Sequence, residues 1–459
     1  MTISRLLLLP ILLTGCNIGK PYCPPMLEVP NQWKGPTSET TQTKTVCHWW
    51  EMFDDPVLNG LEEQAVVNNQ SIHVAFERMC EAKALARVLN ANLYPGLMFD
   101  PSFSDEMFLI KGEHHNFRYH EMDNTLPLNL CYEIDLWGKL HNEYYAGIAY
   151  AEAAYETLCT VLLAITGDVA QSYFRLRSLD AEQEILQQGI AVRQYAVEIN
   201  QSLYNSGMIL YADVSRAQVE LFRTRAESTN VTRQRDILEN VLAVLCGAAA
   251  PEFCVEVSPL SGSLPEIPTG IPSDILCQRP DIAEAEHKMA ALHAEIRVTY
   301  ALQFPSLTLT GSLGMESPDL VSLLSWKARL WAMAANITQS VFDAGRNSAK
   351  LDAAKARFQE GIYLYQQQVL VAFQEVEDSL ANIHKRTAQA IELEQAAQAA
   401  QETTNLSQER YNKGLVGYLD VVDAERSYLE TSRHAAVVNG ERYIATVQLI
   451  KALGGTWQQ

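Results

Sequence analysis

Tyr204-Asn205-Ser206-Gly207-Met208-Ile209-Leu210-Tyr211-Ala212-Asp213 returns 207 positions later as Tyr411-Asn412-Lys413-Gly414-Leu415-Val416-Gly417-Tyr418-Leu419-Asp420. Tyr, Gly, Tyr and Asp keep their places in both stretches, and Gly138 recurs as Gly345 at the same displacement. Further upstream Ile72, Met79 and Pro95 return as Ile282, Met289 and Pro305, displaced by 210, so the copies differ by three residues between Pro95 and Gly138. A unit of about 200 residues, written twice in one order, is far longer than a solenoid repeat and predicts a pseudo-symmetric body with interleaved halves.

Each Tyr-Asn-x-Gly closes a long proline-free stretch. From Lys139 to about Asn205 and from Arg346 to about Asn412, Ala, Gln, Glu and Leu dominate. Each would extend roughly 100 Å as continuous helix at about 1.5 Å per residue. Helices of that length need coiled-coil support, and Ala388 to Ala400, with alanines spaced by Gln and Glu, suits a close seam. Gly207 and Gly414 are expected to take the left-handed conformation that ends a helix. A second helix then returns, to about Cys246 and about Leu453. A shorter helical pattern runs from near Leu61 to Leu93, where Tyr94-Pro95-Gly96 interrupts it.

Strands follow each short helix. Leu97, Phe99, Phe103, Met107 and Leu109 alternate with Asp100, Ser102, Ser104 and Glu106. Leu126, Leu128, Leu130, Tyr132, Ile134 and Leu136 then alternate with Thr125, Asn129, Glu133 and Asp135. In the second copy Leu307, Leu309 and Leu313 alternate with Ser306, Thr308, Thr310 and Ser312; Trp331, Met333, Ala335, Ile337 and Val341 alternate with Asn336, Thr338 and Ser340. Period two over four segments predicts four strands, each with one apolar and one wet face. Such strands suit a membrane barrel with lipid outside and water inside. Four are too few to close one, and open edges do not persist in lipid, so several copies must pool their strands. Soluble hairpins packed on the helices are the alternative.

The formal charge of −20, with no basic cluster, excludes a nucleic-acid binder. Arg5 precedes an apolar run, Leu6 to Leu13, too short to span a bilayer, and Leu13-Thr14-Gly15-Cys16 follows. This reads as a signal peptide over 1–15. Eight further cysteines, from Cys23 to Cys277, form no CxxC pair; Cys246 with Cys254 is one conceivable disulfide. His114, His115 and His120 in the first hairpin read as a solvated loop rather than a metal site. No phosphate-binding glycine loop, nucleophile elbow or paired metal ligands are legible, so neither enzyme nor cofactor is expected.

Four segments carry a resemblance. They are Leu13 to Cys16; Trp49-Trp50 through Phe53-Asp54-Asp55-Pro56 and Leu58 to Leu61, with Asn68-Asn69 after it; Glu133-Ile134-Asp135-Leu136-Trp137-Gly138-Lys139; and Tyr411-Asn412-Lys413-Gly414 ahead of Leu419-Asp420-Val421-Val422-Asp423-Ala424-Glu425. In that order they resemble the TolC-like outer-membrane efflux proteins, in their lipid-anchored drug-efflux branch. The resemblance implies an α+β membrane protein: a homotrimer joining a long α-helical coiled-coil barrel to a transmembrane β-barrel of four strands per chain. It implies lipidation (palmitate) at Cys16, location in the outer membrane with extension into the periplasm, and a passive conduit for small toxic compounds. Its implied partners are a periplasmic adaptor and an inner-membrane transporter of RND type. Type I protein secretion, or a structural periplasmic coiled-coil lipoprotein, are the alternatives.

In that family the helix-turn-helix tips close the tunnel. The matching positions here are Tyr411, Asp420 and Asp423 in the second copy and Asp213 in the first, beside the tip turns at Gly207 and Gly414. Three symmetry-related carboxylates at a constriction would repel one another and attract cations. Asp213 and Asp420 also stand where aspartate serves as a helix cap. Asp423 has Arg216 as its repeat mate, and Val416 stands where several family members carry arginine. The expected organisation is a lipid-anchored extended segment over 16–60, repeat 1 over 61–246, a Pro-rich linker over 247–280, repeat 2 over 281–453 and a tail over 454–459.

Overall fold

The structure, a computed structural model, describes residues 48–111, 116–260 and 278–455, with short stretches at 22–25, 29–30, 32–34, 264–265, 267 and 272. Cys16 and its preceding apolar run, together with Cys47, His114, His115 and Cys277, lie outside the described residues.

The duplication is written into the element boundaries. Helices α1 (Pro56–Asn68) and α2 (Gln70–Ala91) lead to strands β1 (Gly96–Phe99), β2 (Ser102–Lys111) and β3 (Asn116–Ile134), then to α3 (Lys139–Asn205) and α4 (Tyr211–Leu245). The second copy gives α5 (Pro280–Ala301), β4 (Ser306–Ser317), β5 (Arg329–Thr338), α6 (Arg346–Asn412) and α7 (Tyr418–Ala452). Both ends of α3 and of α4 recur in α6 and α7 at a displacement of 207, and both ends of α2 recur in α5 at 210. Two compact units result. One takes the described parts of Met1–Met26, Arg78–Tyr155 and Glu284–Gln366; the other takes those of Leu27–Glu77, Glu156–Ala283 and Gln367–Gln459. Each unit therefore draws on both copies, which is the expected interleaving of the two halves.

In the first unit the strands form a single antiparallel sheet ordered β1-β3-β4-β5, with β2 also on β3. The first strand divides at Asp100-Pro101 because proline lacks the ladder N–H. Its register nevertheless runs on unbroken: Phe99 faces Leu128, Ser102 faces Thr125, and the Asp100 amide still donates to Pro127 O at 3.3 Å. Among the described residues four strands are thus present in five pieces. Pairing places Leu97 beside Leu130, Leu128 beside Leu313 and Leu313 beside Trp331, so the apolar positions of all four align on one face. Leu97, Leu313, Trp331, Met333 and Ile337 on that face are exposed. The opposite face is wet, with Ser312 Oγ donating to Asn129 Oδ1 at 2.9 Å across β3 and β4. β5 ends at Thr338, short of Val341. Trp137 Nε1 donates to Pro305 O at 2.7 Å, tying the exit of β3 to the entry of β4.

In the second unit the end of the expected extended segment over 16–60 is packed from Trp49 onward. Trp49–Phe53 form a 3-10 turn whose Trp49, Trp50 and Phe53 are buried, Phe53 lying 4.9 Å from Phe174 between ring centroids. Helix α1 starts at Pro56 because Asp55 caps it, accepting from Val57 N at 2.9 Å and Leu58 N at 3.2 Å. Proline at the first helical position sacrifices no bond. The helix expected from Leu61 to Leu93 is in fact two, since Asn69 turns its carboxamide into a second cap, accepting from Ser71 N and Ile72 N and donating to Leu245 O at 2.7 Å. The start of the Pro-rich linker is pinned as well: Arg235 Nη2 donates to Val255 O and Arg177 Nη1 to Glu256 O, both at 2.6 Å, while Asp180 bonds both guanidinium groups. Cys246 and Cys254 are both free, the first buried and the second exposed, and no disulfide joins them.

Candidate functional site

Both helical hairpins of the second unit turn in the same way. Gly207 and Gly414 have φ of 75° and 71°, with open space around each, so conformation rather than crowding requires glycine there. Gly207 N donates to Tyr204 O and Met208 N to Leu203 O; Gly414 N to Tyr411 O and Leu415 N to Arg410 O. These are paired Schellman closures. Behind each turn a repeat-related tyrosine pair packs, Tyr204 with Tyr211 at 5.4 Å and Tyr411 with Tyr418 at 5.6 Å between centroids.

The copies diverge one turn further in. In the first, Asp213 lies in the opening turn of α4 and accepts from Arg216 Nη1 at 2.9 Å. The cap positions themselves, Leu210 and Gly417, make no side-chain cap bond. In the second, Tyr418, Val421 and Val422 pack with Ala217 in a small core against which Tyr411 rests. Tyr411 Oη lies 3.4 Å from Asn200 Oδ1, to which it donates. Burial, then the nearby Asp213 carboxylate, raise its pKa above the usual phenol value. Asp420 is exposed and makes no ion pair among the described residues. Asp423 is exposed and pairs loosely with Arg426 Nη1, at 3.6 Å.

Arg426 joins the two copies. Its Nη2 donates to Glu220 Oε1 at 2.5 Å, and Glu220 lies 3.9 Å from Nη2 of buried Arg193. Arg193 also donates to Thr224 Oγ1 and to Glu220 O. Burial lowers the Arg193 pKa against the pull of Glu220 and Glu425. Glu425 is raised chiefly by burial, with Arg193 opposing and Glu220 reinforcing. Tyr411 and Asp213 are thus brought together, Asp423 is tied through Arg426 to Glu220 and Arg193, and Asp420 stands apart. The sequence reading missed Arg193, Glu220 and Arg426, and the guanidinium groups here come from positions other than the one Val416 fills. Only Asp423-x-x-Arg426 carried a legible signal, the i, i+3 spacing of a helical ion pair.

A sheet with one continuous greasy face and two open edges, joined by chain to paired helical hairpins, defines the outer-membrane channel fold that three copies close. The family model described as outer membrane efflux protein matches residues 61–248 and 271–455. The chain belongs to that family, which is one of transport conduits. It is similar to the Cation efflux system protein CusC of Escherichia coli O6:H1, 32% identical with 97% of each chain covered. It is also similar to the Toluene efflux pump outer membrane protein TtgI of Pseudomonas putida, 28% identical with 97% of each covered. Among solved structures, the Campylobacter jejuni CmeC outer membrane channel superposes with a TM-score of 0.91 at 25% identity, covering 97% of this chain and 96% of that one.

Proposed function

We propose that this channel exports small toxic compounds, cations or organic molecules, handed to it by an RND-type inner-membrane transporter through a periplasmic adaptor. The roles of two relatives, cation efflux and toluene efflux, support a conduit whose cargo is chosen elsewhere. The observation that carries the reading is the single exposed apolar face shared by four strands, because it requires lipid and closure by further copies. Purifying the complex after in-membrane crosslinking should recover an adaptor and a transporter; recovery of a secretion ATPase with a protein cargo would favour the secretion alternative instead.

Residues Asp213, Tyr411, Asp420 and Asp423 act as the periplasmic gate, with Arg426 and Glu220 as its latch. Arg426 bridges one carboxylate from each copy, so removing it loosens the two hairpins at that point, while the core around Ala217 still joins them. In planar bilayers Arg426→Ala should raise open probability, and Asp420→Ala with Asp423→Ala should reduce cation preference; unchanged traces for both would remove these residues from the pore. At the other end of the sequence, Cys16 is the lipid attachment point. Cys16→Ala should abolish labelling with radioactive palmitate, and undiminished labelling would locate the lipid elsewhere.

A further inference from the structure

The loop joining β4 to β5, residues 318–328, is apolar where a solvated loop would be polar. Val321 is 99% exposed and Trp326 77%, with Leu320 and Leu324 also exposed. It is nevertheless firmly built. Asn124 Nδ2 donates to Ser317 O at 3.1 Å and Pro318 O at 3.0 Å, Ser317 Oγ and Ser322 Oγ share a bond of 2.6 Å, and Leu323 is buried beneath. Three further backbone bonds, closing on Asp319, Ser322 and Ser325, carry the chain to β5.

The register says which way this loop leans. Arg329 faces Met315 across β4 and β5, on the same face as Leu313 and Trp331. The Arg329 guanidinium stands 4.7 Å over the Trp326 ring, and its Nη1 donates to Trp326 O at 2.9 Å. Trp326 therefore lies on the lipid-facing side. On β5 that face is apolar from Ile337 through Ala335, Met333 and Trp331, and Arg329 is its first charge. Those eight steps span about 27 Å along the strand at ~3.4 Å each. At a tilt near 40° they rise about 20 Å, close to the ~25 Å lipid band of outer-membrane barrels. The connections to the helices lie at the Ile337 end, so Arg329, Trp326 and exposed Lys327 mark the outer rim.

We propose that Arg329, Lys327 and Trp326, with the apolar knob of Leu320, Val321 and Leu324, form a docking site for a phosphate-bearing lipid of the outer leaflet. The two cations meet the headgroup phosphate. Guanidinium stacked on indole keeps free N–H groups turned outward, and the apolar side chains lie among the acyl chains. Aromatic stacking holds the arginine in place, so the site reads phosphate and hydrocarbon together. This inference rests on the outer-membrane reading of the sheet.

Native mass spectrometry of the detergent-purified trimer, titrated with diphosphoryl lipid A, tests it. Lipid A should bind to the wild type and bind about fivefold more weakly for each cation removed by Arg329→Gln or Lys327→Gln. Trp326→Ala should weaken it too, and Arg329→Lys should be intermediate because it keeps the charge and loses the flat stack. Dephosphorylated lipid A should bind poorly. Equal binding of the dephosphorylated lipid, wild-type affinity in the Arg329→Gln, Lys327→Gln double variant, or displacement of lipid A by inorganic phosphate alone would each overturn the proposal. Trimer assembly in outer-membrane fractions is measured separately, so loss of the barrel itself is distinguished from loss of the lipid site.

Discussion

Gly314→Val should yield no stable trimer in outer-membrane fractions, whereas Gly311→Ala, three residues earlier in the same strand, should assemble as the wild type does. Gly314 faces Pro127 across β3 and β4. A Cβ built on Gly314 would collide with Leu126 O and stand 2.7 Å from the Pro127 Cα, and both are backbone atoms. No rotamer change relieves such a clash; the strands must separate. Separation costs ladder hydrogen bonds on a sheet bathed in lipid, where an unsatisfied backbone group costs several kcal/mol. Gly311 differs because its added Cβ would meet the Leu130 Cβ at 3.7 Å, an ordinary contact. The measurement is the fraction of heat-stable trimer on semi-native gels. Gly314→Val running as a wild-type trimer would show that the strands are not pressed together at Pro127.

The elements legible in the sequence were those governed by short-range periodicity or by repetition. Alternation revealed all four strands, because adjacent side chains point to opposite faces whatever surrounds them. Duplication revealed the helical hairpins, and Gly207 and Gly414 announced their turns through a backbone conformation that glycine alone adopts cheaply. What stayed hidden depends on side chains remote in sequence or on a residue with two uses. Pro56 lies ahead of the helix expected from Leu61, yet behind the Asp55 cap it starts α1. Asn69 lay inside a helical pattern, and its capping role shows only when Leu245 arrives to accept its Nδ2. At the gate, only the i, i+3 spacing of Asp423 and Arg426 offered a local signal, and the sequence reading passed over Arg426. The bridge from Arg426 to Glu220 spans 206 positions, and no single-sequence pattern encodes it. The repeat mates themselves misled in one respect: Asp213 and Asp420 occupy equivalent places, yet only the first has an arginine beside it.

Removing the carboxyl of Glu62 should abolish a loss of stability that the wild type suffers as pH rises from about 5 to 9. Glu62 lies on α1 with 0% of its surface exposed, and neither carboxylate oxygen has a hydrogen-bond partner among the described residues. Burial alone pushes its pKa up to about 9. The ionisable group beside it is buried Cys246, whose thiol is pushed up to about 11, first by burial and then by Glu62 itself; that sulfur donates to Leu61 O at 3.6 Å. Among the described residues no cation offsets the charge, so the folded protein keeps Glu62 protonated at neutral pH. An unfolded chain releases the proton near pH 4.3. Between there and about 9 the folded state holds one proton more than the unfolded, so stability falls by ~1.4 kcal/mol per pH unit and levels off above 9. At pH 7 the deficit relative to acid is about 3 to 4 kcal/mol. Glu62→Gln keeps shape and polarity without the titration, and Glu62→Met adds apolar contact in place of an unsatisfied carboxyl. Both should outlast the wild type at pH 8; the margin of Glu62→Gln vanishes near pH 4, whereas Glu62→Met keeps the part that comes from its apolar contact. Thermal unfolding of the detergent-solubilised trimer across this range provides the comparison, and the difference between wild type and Glu62→Gln cancels every other titrating group. Parallel curves from pH 5 to 9 would mean that Glu62 finds a partner or water that the folded chain alone does not supply.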